Sequence, residues 1–473
     1  MNLLNIQNDA SSVARKCQRN WDYSKNVPQE HIEHLANIAK NVALKLGVPT
    51  KHPANPLMVE DKPWEKRYDN FYGNVLFDKE ESIFKCWYSP FIVAHSAKGM
   101  SLPQRKKTPY EGHASQEMAI CYATSKDGIS WKKPSLGQVT FKNSHDNNLI
   151  SRGPHGTGIF KDTRAAKTSH QYKSVYQGLN TSFSQDGLTW SEPRFISRNK
   201  IAGDTHNNAL WAPTLGKYVG FTRTWGKTDR RLVGLETKTN HSWGREVARI
   251  ESVDFSDWST SEVVVGCKQW EYQPYAMPVF FHANTYIGLL AIHEQSSDRV
   301  WTELAWSPDT KNWHRIDEGV PLIDPCPSPL DYDFGCIYAC ASPIFLEDEI
   351  RVYYGGSDWL HTSWRNGCLA LATLRPDGFA GYEQIHANEL GKINTKAIDY
   401  NGEAIKVSAD VSKNGWIRAS LKDKSNSVIS SAQISETSTD SNLFDPQVIN
   451  NGTVRIEFEL NAAKLYSFSF ASG

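Results

Sequence analysis

The segment Ser125-Lys126-Asp127-Gly128-Ile129-Ser130-Trp131 decides the fold, because the chain repeats it. A close copy runs over Ser184–Trp190, weaker copies run over Ser252–Trp258 and Ser307–Trp313, and a shortened copy runs over Arg375–Phe379. The aspartates of these copies recur at intervals of 55 to 68 residues. A period of this length is typical of an array of similar supersecondary units that bury their faces against one another.

Each copy predicts a tight turn that follows a pair of short strands. The aspartate accepts backbone N–H groups, the glycine takes a positive φ where it is present, and the tryptophan closes the apolar layer between sheets. Predicted strand pairs include Phe71–Phe77 with Phe84–Tyr88, and Thr157–Phe160 with Tyr172–Tyr176. Five four-stranded units of this kind predict an all-β chain with a five-bladed β-propeller. An array of sandwiches is the alternative.

The segments on either side of the repeats predict two further parts. Residues 9–46 carry apolar positions at helical spacing, so we expect a helical arm over residues 1–49. The propeller is predicted over residues 50–388, and alternating segments over 389–473 predict a C-terminal β-sandwich. The stretch Arg19–Ala39 resembles the opening of flavin nitroreductases, but nothing after it continues that fold, so no flavin is predicted.

Composition narrows the class of function. The chain has 52 basic and 52 acidic residues, and this balance argues against a nucleic-acid or membrane-surface partner. No run of about 18 apolar residues predicts a membrane span, and the first residues lack the pattern of a signal peptide. The eight cysteines show no CxxC pair, so we expect mostly buried free thiols, or at most one or two disulfides. No organic cofactor is predicted, while a structural metal stays open.

Catalytic and ligand-binding residues of a propeller are expected where the innermost strands begin, because those strands line the central channel. The predicted starts are rich in acids, histidines and amides, unlike purely structural strand starts. They read Asp69–Asn74, Arg152–Gly156, Gly203–Asn208, Trp270–Tyr275 and Asp333–Tyr338 in blades one to five.

These starts resemble the five-bladed glycoside hydrolases of families 32 and 43, and for family 32 the resemblance extends to the trailing sandwich. Trp270-Glu271 is similar to the family's W-E-C motif, and Gly203-Asp204-Thr205 to its R-D-P segment. Asn70-Phe71-Tyr72-Gly73 lies where the family has D-P-N-G, so Asn70 stands at the nucleophile position and Asp69 precedes it. Gly203 replaces the arginine of R-D-P.

The resemblance implies a carbohydrate-cleaving enzyme with three carboxylates in defined roles. Glu271 is the expected general acid, and partial desolvation by Trp270 and Tyr272 should raise its pKa. Asp204 is expected to stabilise the transition state, and Asp69 to act as base or nucleophile. On a regular strand Asp69 and Asn70 point to opposite faces, unless a bulge intervenes.

Histidines and an arginine in blades two and three predict an acidic or sulfated sugar as substrate. His155 and His206 suit proton transfer, and Arg223 suits a carboxylate or sulfate. The predicted substrate contacts, including aromatic stacking walls, are Arg223, Asn70, Asn74, Asn207, Trp211, Trp225, Tyr275, His145 and Arg152.

Two alternatives to hydrolysis stay open. The histidine and arginine set resembles propeller-type ulvan lyases, which implies elimination on a uronate. Those lyases have seven blades, and their tyrosine position corresponds to Asn207 here. The third reading is a sugar-binding propeller without catalysis, because fold alone does not fix function.

Overall fold

The computed structural model describes residues 39–110, 116–196, 203–225, 244–283, 285–395, 397–446 and 452–471. These ranges are almost entirely β-structure, arranged as a propeller and a sandwich, as predicted. No helix within them has the length and apolar character needed to cross a membrane. The predicted helix over residues 9–46 lies mostly outside the described residues.

The described N-terminal strands and the first blade use residues 39–152. The first four strands are β1 (Ala39–Lys40), β2 (Val42–Leu46), β3 (Thr50–Lys51) and β4 (Met58–Val59). Blade one has β5 (Asn74–Asp78), β6 (Ile83–Tyr88), β7 (Phe91–Val93), α1 (Leu102–Lys107), β8 (Glu117–Ser125), β9 (Trp131–Lys132) and β10 (Leu149–Arg152).

Blades two to four each place four strand positions in chain order from the channel outward. Blade two has β11 (Gly158–Lys161), β12 (Tyr172–Tyr176), β13 (Asn180–Ser184) and β14 (Arg194–Phe195). Blade three has β15 (Asn208–Ala212), β16 (Lys217–Trp225), β17 (Arg245–Ser252) and β18 (Glu262–Val265). Blade four has β19 (Tyr272–Ala276), β20 (Val279–His282), β21 (Thr285–Glu294), β22 (Arg299–Ser307) and β23 (His314–Arg315).

The fifth blade is completed by residues from the start of the described chain. Its own strands are β24 (Cys336–Ala339), β25 (Ile344–Phe345), β26 (Ile350–Ser357) and β27 (Gly367–Leu374). Strands β3 and β4 pair antiparallel with β27, through Ala372 opposite Lys51 and Cys368 opposite Val59. The ring therefore closes by strand pairing between distant parts of the sequence.

The repeated segments form the predicted turns in blades one to four. Asp127 Oδ1 accepts the backbone N–H groups of Ile129 and Ser130 at 2.8 and 2.7 Å. The equivalent aspartates make the same two bonds, and they are Asp186, Asp254 and Asp309. Trp131 of blade one packs edge-on against Tyr353 of blade five, 6.1 Å between ring centroids. The repeat therefore sets both the turn and the seam between neighbouring blades.

The fifth copy of the repeat serves a different purpose. Asp377 is partly buried and accepts hydrogen bonds from the Ser408 and Ser467 hydroxyls at 3.1 and 2.8 Å, both in the sandwich. Burial raises the pKa of Asp377. Since blade five takes its outer strand from the N-terminal side, the chain is free to continue from this turn into the second domain.

The sandwich begins earlier than predicted and recruits residues expected to be helical. Its later strands are β28 (Ala380–Gln384), β29 (Gly391–Asn394), β30 (Ile398–Tyr400), β31 (Ala404–Lys422), β32 (Val428–Ile434), β33 (Ser438–Phe444) and β34 (Gly452–Ala471). Strand β2 pairs with β28, and β1 with β29. The helix predicted through residue 46 is therefore wrong for residues 39–46. The apolar residues Val42, Leu44 and Leu46 also alternate with period two, and pairing with β28 selects the strand.

Candidate active site

Five blades contribute side chains to one mouth of the central channel, where the inner strands begin. The Tyr72 ring of blade one lies 5.3 Å from the His155 ring of blade two and 6.5 Å from Tyr338 of blade five. Tyr275 of blade four lies 5.2 Å from Tyr338, and Arg223 of blade three lies 4.7 Å from Tyr275. We call this set the channel wall, and it comprises Asp69, Asn70, Tyr72, His155, Asp204, Arg223, Tyr275, Tyr338 and Arg365.

Asp69 and Asn70 lie on a strained loop before β5. The φ angles of Asp69, Phe71 and Tyr72 are 37°, 64° and 47°, in the left-handed region that residues other than glycine rarely adopt. Arg365 Nη2 donates to Asp69 Oδ1 at 2.5 Å and to Asn70 Oδ1 at 3.0 Å. The loop thus turns both side chains to the same guanidinium, which the alternation of a regular strand would not allow.

Asn70 also organises two tyrosine hydroxyls of the wall. Its Nδ2 donates to the Tyr72 hydroxyl at 2.7 Å and to the Tyr275 hydroxyl at 3.2 Å. Because the Tyr72 oxygen accepts this bond, its own proton points elsewhere. Burial raises the pKa of Tyr72 well above its usual range, so the hydroxyl keeps that proton at neutral pH.

Asp204 and Arg223 form an ion pair between the start of blade three and the end of its second strand. The Arg223 side chain is almost completely buried, and its Nη2 also donates to the Asp204 carbonyl oxygen at 3.0 Å. Burial opposes the charge on Arg223, but the Asp204 carboxylate outweighs burial and the pKa of Arg223 rises. A carboxylate held by such a pair is poorly suited to donate a proton.

Two histidines of the mouth are kept neutral by burial. Burial lowers the pKa of His155, although Asp69 and Asp204 oppose that effect. Burial also lowers the pKa of His361 well below its usual range, and its Nδ1 lies 3.1 Å from the Tyr338 hydroxyl. Both imidazoles are therefore unprotonated near pH 7, and the lowered pKa also makes each of them a weaker base.

The environment of Glu271 differs from the one predicted. Glu271 Oε1 accepts the backbone N–H of Ser296 at 2.9 Å. A hydrogen bond from the Ser296 side chain, followed by this backbone bond, lowers the pKa of Glu271. Trp270 and Tyr272 are 40% and 39% exposed, so they do not desolvate the carboxyl group. The expected raised pKa is therefore wrong, because an outward-facing turn replaces the predicted apolar surroundings. We call Trp270, Glu271 and Tyr272 the rim.

Three predicted site residues belong to the framework behind the wall. Asn207 is fully buried, and its Nδ2 donates to the carbonyl oxygens of Gly156, Gly203 and Thr205. Asn74 donates to the Thr157 carbonyl oxygen at 2.7 Å. His206 is 2% exposed, its Nε2 lies 3.2 Å from Asn74 Oδ1, and burial lowers its pKa to about 3. Their polar atoms hold neighbouring loops together, which corrects the substrate and catalytic roles expected for them.

The predicted stacking residues divide between the two ends of the channel. Tyr275 and Trp225 lie at the mouth, where Arg223 contacts both rings. Trp211 is near the far end of β15, where it packs against Tyr218 at 4.9 Å and under Arg164 at 3.5 Å. The predicted stacking role of Trp211 is therefore wrong, because it lies four residues into the inner strand.

His145 and Arg152 meet away from the channel wall. His145 Nε2 lies 3.0 Å from the Thr140 hydroxyl, and Arg152 donates to the Thr140 carbonyl oxygen at 3.3 Å. Arg152 also forms an exposed pair with Glu117, with both distances 2.6 Å. These contacts do not support the substrate-binding roles expected for the two residues.

Further basic residues at the mouth were not predicted as site residues. His293 lies at the end of the second strand of blade four and Arg245 at the start of the third strand of blade three. His361 and Arg365 lie in the loop between the second and third strands of blade five, and Arg67 precedes the first strand of blade one. Because the second strand runs back along the first, its end lies at the same mouth as the start of the inner strand. In blade three the sequence pointed to Arg223 and Trp225 at the end of the second strand. The ends of the second strands in blades four and five could have been searched for basic residues in the same way.

The described cysteines are free thiols, and most of them are buried as predicted. Within the described ranges no group of three or more His, Cys, Asp or Glu side chains is arranged to hold a metal ion.

No protein-family model matches the chain, and no curated protein matches its sequence. Solved structures are similar to it. One is from the GH130 family of mannoside phosphorylases, which contains glycoside hydrolases that target β-1,2-mannosidic linkages in Candida mannan. It has 14% identity and a TM-score of 0.44, and the alignment covers 70% of this chain and 94% of that one.

Two other similar structures align with most of this chain. A fructofuranosidase from Schwanniomyces occidentalis has 10% identity and a TM-score of 0.42, with 90% of this chain and 99% of that chain covered. An exo-β-1,3-galactanase from Phanerochaete chrysosporium has 9% identity and a TM-score of 0.35, with 88% and 100% covered.

Proposed function

We propose that this chain is a carbohydrate-active enzyme that cleaves glycosidic bonds of an acidic or sulfated oligosaccharide or polysaccharide at the channel mouth. The observation that carries the proposal is the convergence of two pairs of a buried arginine with a partly exposed carboxylate, Asp69–Arg365 and Asp204–Arg223, with tyrosines and a histidine. A purely structural channel end does not require so many buried charges, because each costs desolvation energy.

Hydrolysis assigns distinct roles to the two carboxylates. Glycosidic cleavage builds positive charge on the sugar ring, and a fixed ionised carboxylate stabilises that charge. Asp204 takes this role. Asp69 is the proposed base or nucleophile, because Arg365 and the strained loop hold it at the mouth.

The general acid must carry a proton that it can release to the leaving oxygen. Glu271 does not meet this need, since its pKa is lowered. The Tyr72 hydroxyl keeps its proton, and the bond from Asn70 turns that proton away from the loop. We therefore assign to Tyr72 a hydrogen bond to the leaving oxygen, because its raised pKa opposes full release of the proton.

Elimination on a uronate is the second candidate, and the state of His155 favours it. A neutral His155 beside Tyr72 forms a base and acid pair on one side of the channel. Arg223 would neutralise the uronate carboxylate, which makes the neighbouring carbon acid easier to deprotonate.

A screen of acidic and neutral oligosaccharides, followed by mass spectrometry and ultraviolet absorbance, tests the proposal. Products that gain water without new absorbance would support hydrolysis. Products that lack water and absorb as unsaturated uronates would support elimination through His155. Sugars that bind without any product would contradict an enzyme and identify a sugar-binding propeller.

A further inference from the structure

Arg245 lies beside Arg223, and among the described residues no carboxylate pairs with it. The Arg223 guanidinium carbon lies 4.7 Å from the Tyr275 ring centroid and 5.2 Å from that of Trp225. The corresponding carbon of Arg245 lies 5.0 and 4.8 Å from the same two centroids. Two like charges therefore share one pair of aromatic faces, an arrangement that costs free energy unless a counter-charge joins them.

The nearby carboxylates are already engaged by other groups. Asp204 pairs with Arg223, Asp69 with Arg365, and Asp298 with His293 at 3.0 Å. Across the described ranges, no carboxylate lies within ion-pair distance of Arg245. Its neutral contacts are Gln273 Oε1 at 2.7 Å and His293 Nδ1 at 3.3 Å.

Several N–H groups of the two arginines have no acceptor. Nε and Nη1 of Arg223 and Nε of Arg245 are buried and lack a hydrogen-bond partner among the described residues. Burial, followed by the charge of Arg223, lowers the pKa of Arg245 to about 10. An oxyanion placed against these atoms would satisfy the donors and compensate the excess charge together.

We infer that Arg245 and Arg223 form a subsite for an oxyanion of the substrate, a sugar carboxylate or a sulfate ester, and that Arg245 determines this specificity. The inference rests on the proposed function, because the subsite opens on the same channel mouth. Arg223 is shared with Asp204, whereas Arg245 is held by Gln273 and is committed to the oxyanion.

Calorimetric titration of the full chain with D-glucuronate, inorganic sulfate and D-glucose tests the subsite without requiring turnover. We expect glucuronate or sulfate to bind at least about tenfold more tightly than glucose, as charge-assisted hydrogen bonds predict. Arg245→Gln should weaken oxyanion binding by about 10- to 100-fold. Arg245→Lys should restore part of it, because the charge remains and the planar fork is lost.

Arg299→Gln is the matched control, since Arg299 stacks on Phe334 at 4.4 Å and donates to the Phe334 carbonyl oxygen. It should bind as the wild type does. Binding of sulfate alone would assign a sulfate ester, and binding of glucuronate alone would assign a uronate. Equal binding by wild type and Arg245→Gln, or no oxyanion binding at all, would overturn the subsite. If Arg245→Gln fails to fold, the Arg245→Lys variant tests the subsite. Oxyanion binding by Arg245→Lys that equals that of the wild type would contradict recognition by the planar guanidinium of Arg245.

The subsite and the proposed function can fail separately. Oxyanion binding that depends on Arg245, without cleavage of any oligosaccharide, would overturn the enzymatic proposal and support the subsite. Cleavage of neutral and acidic oligosaccharides with equal kcat/KM by wild type and Arg245→Gln would overturn the subsite and support the enzyme.

Discussion

The channel wall and the rim carry carboxylates in opposite environments. Asp204 of the wall faces a nearly completely buried arginine, whereas Glu271 of the rim accepts a backbone N–H on an outward-facing turn. The sequence motifs pointed to both residues equally. The difference teaches that a motif locates a candidate group, while its burial and its charge partners decide which chemistry the group can perform.

Asp204→Asn should give the largest loss of activity among wall variants. Removing a fixed charge that faces the developing cation should lower kcat by about 100- to 1000-fold. Steady-state kinetics on the substrate found in the oligosaccharide screen measures the effect, with exposed Asp324→Asn as the control. Activity within a few fold of wild type, in a folded variant, would remove Asp204 from the mechanism.

Tyr72→Phe should follow, with a loss of about 100-fold in kcat and a smaller change in KM. The ring remains to pack against His155, so the fold should be preserved while the hydroxyl that hydrogen-bonds the leaving oxygen is lost. Thermal unfolding of the variant, measured beside kcat, distinguishes the loss of the hydroxyl from a loss of packing. An unchanged kcat would contradict the assignment.

Acid should destabilise the protein through His206, in the framework behind the wall. His206 has a folded pKa of about 3 against an ordinary value of 6.5, so the unfolded chain binds its proton first as pH falls. The stability from keeping His206 neutral is complete above about pH 6.5 and is lost progressively towards pH 3, by about 2 kcal/mol at pH 5.

Urea unfolding of wild type and His206→Gln at pH 7 and pH 5 measures this contribution. The variant should lose less stability than wild type on acidification, whereas exposed His145→Gln should behave as wild type does. Equal acid sensitivity of all three proteins would show that His206 is not the group responsible.

Glu271→Gln should give the smallest effect, with kcat within about threefold of wild type, because a solvated carboxyl with a lowered pKa is a poor general acid. A loss of about 100-fold or more would reverse the contrast between wall and rim. It would then restore the role that the W-E motif suggested.

The fold could be predicted largely because its determinants are local. Asp127 caps a turn formed by its own next three residues, so the repeat identifies a blade without knowledge of the other blades. The closure of blade five by Thr50–Lys51 was not predictable in this way. It depends on pairing across more than 300 residues, and two short strands carry no local signal of their partner.

The sequence by itself determined the blades, the sandwich and the positions of Asp204, Arg223, His155 and Tyr275 at strand ends. Only the tertiary structure decided which of the candidates meet. Arg365 donates to Asp69, which lies 296 positions earlier in the sequence. The side-chain amide of Asn207 donates to backbone carbonyl oxygens, and Glu271 lies on an outward-facing turn. The physical reason is that charge pairing and desolvation depend on atoms brought together from all five blades. The sequence around any one residue does not reveal which of these atoms will surround it.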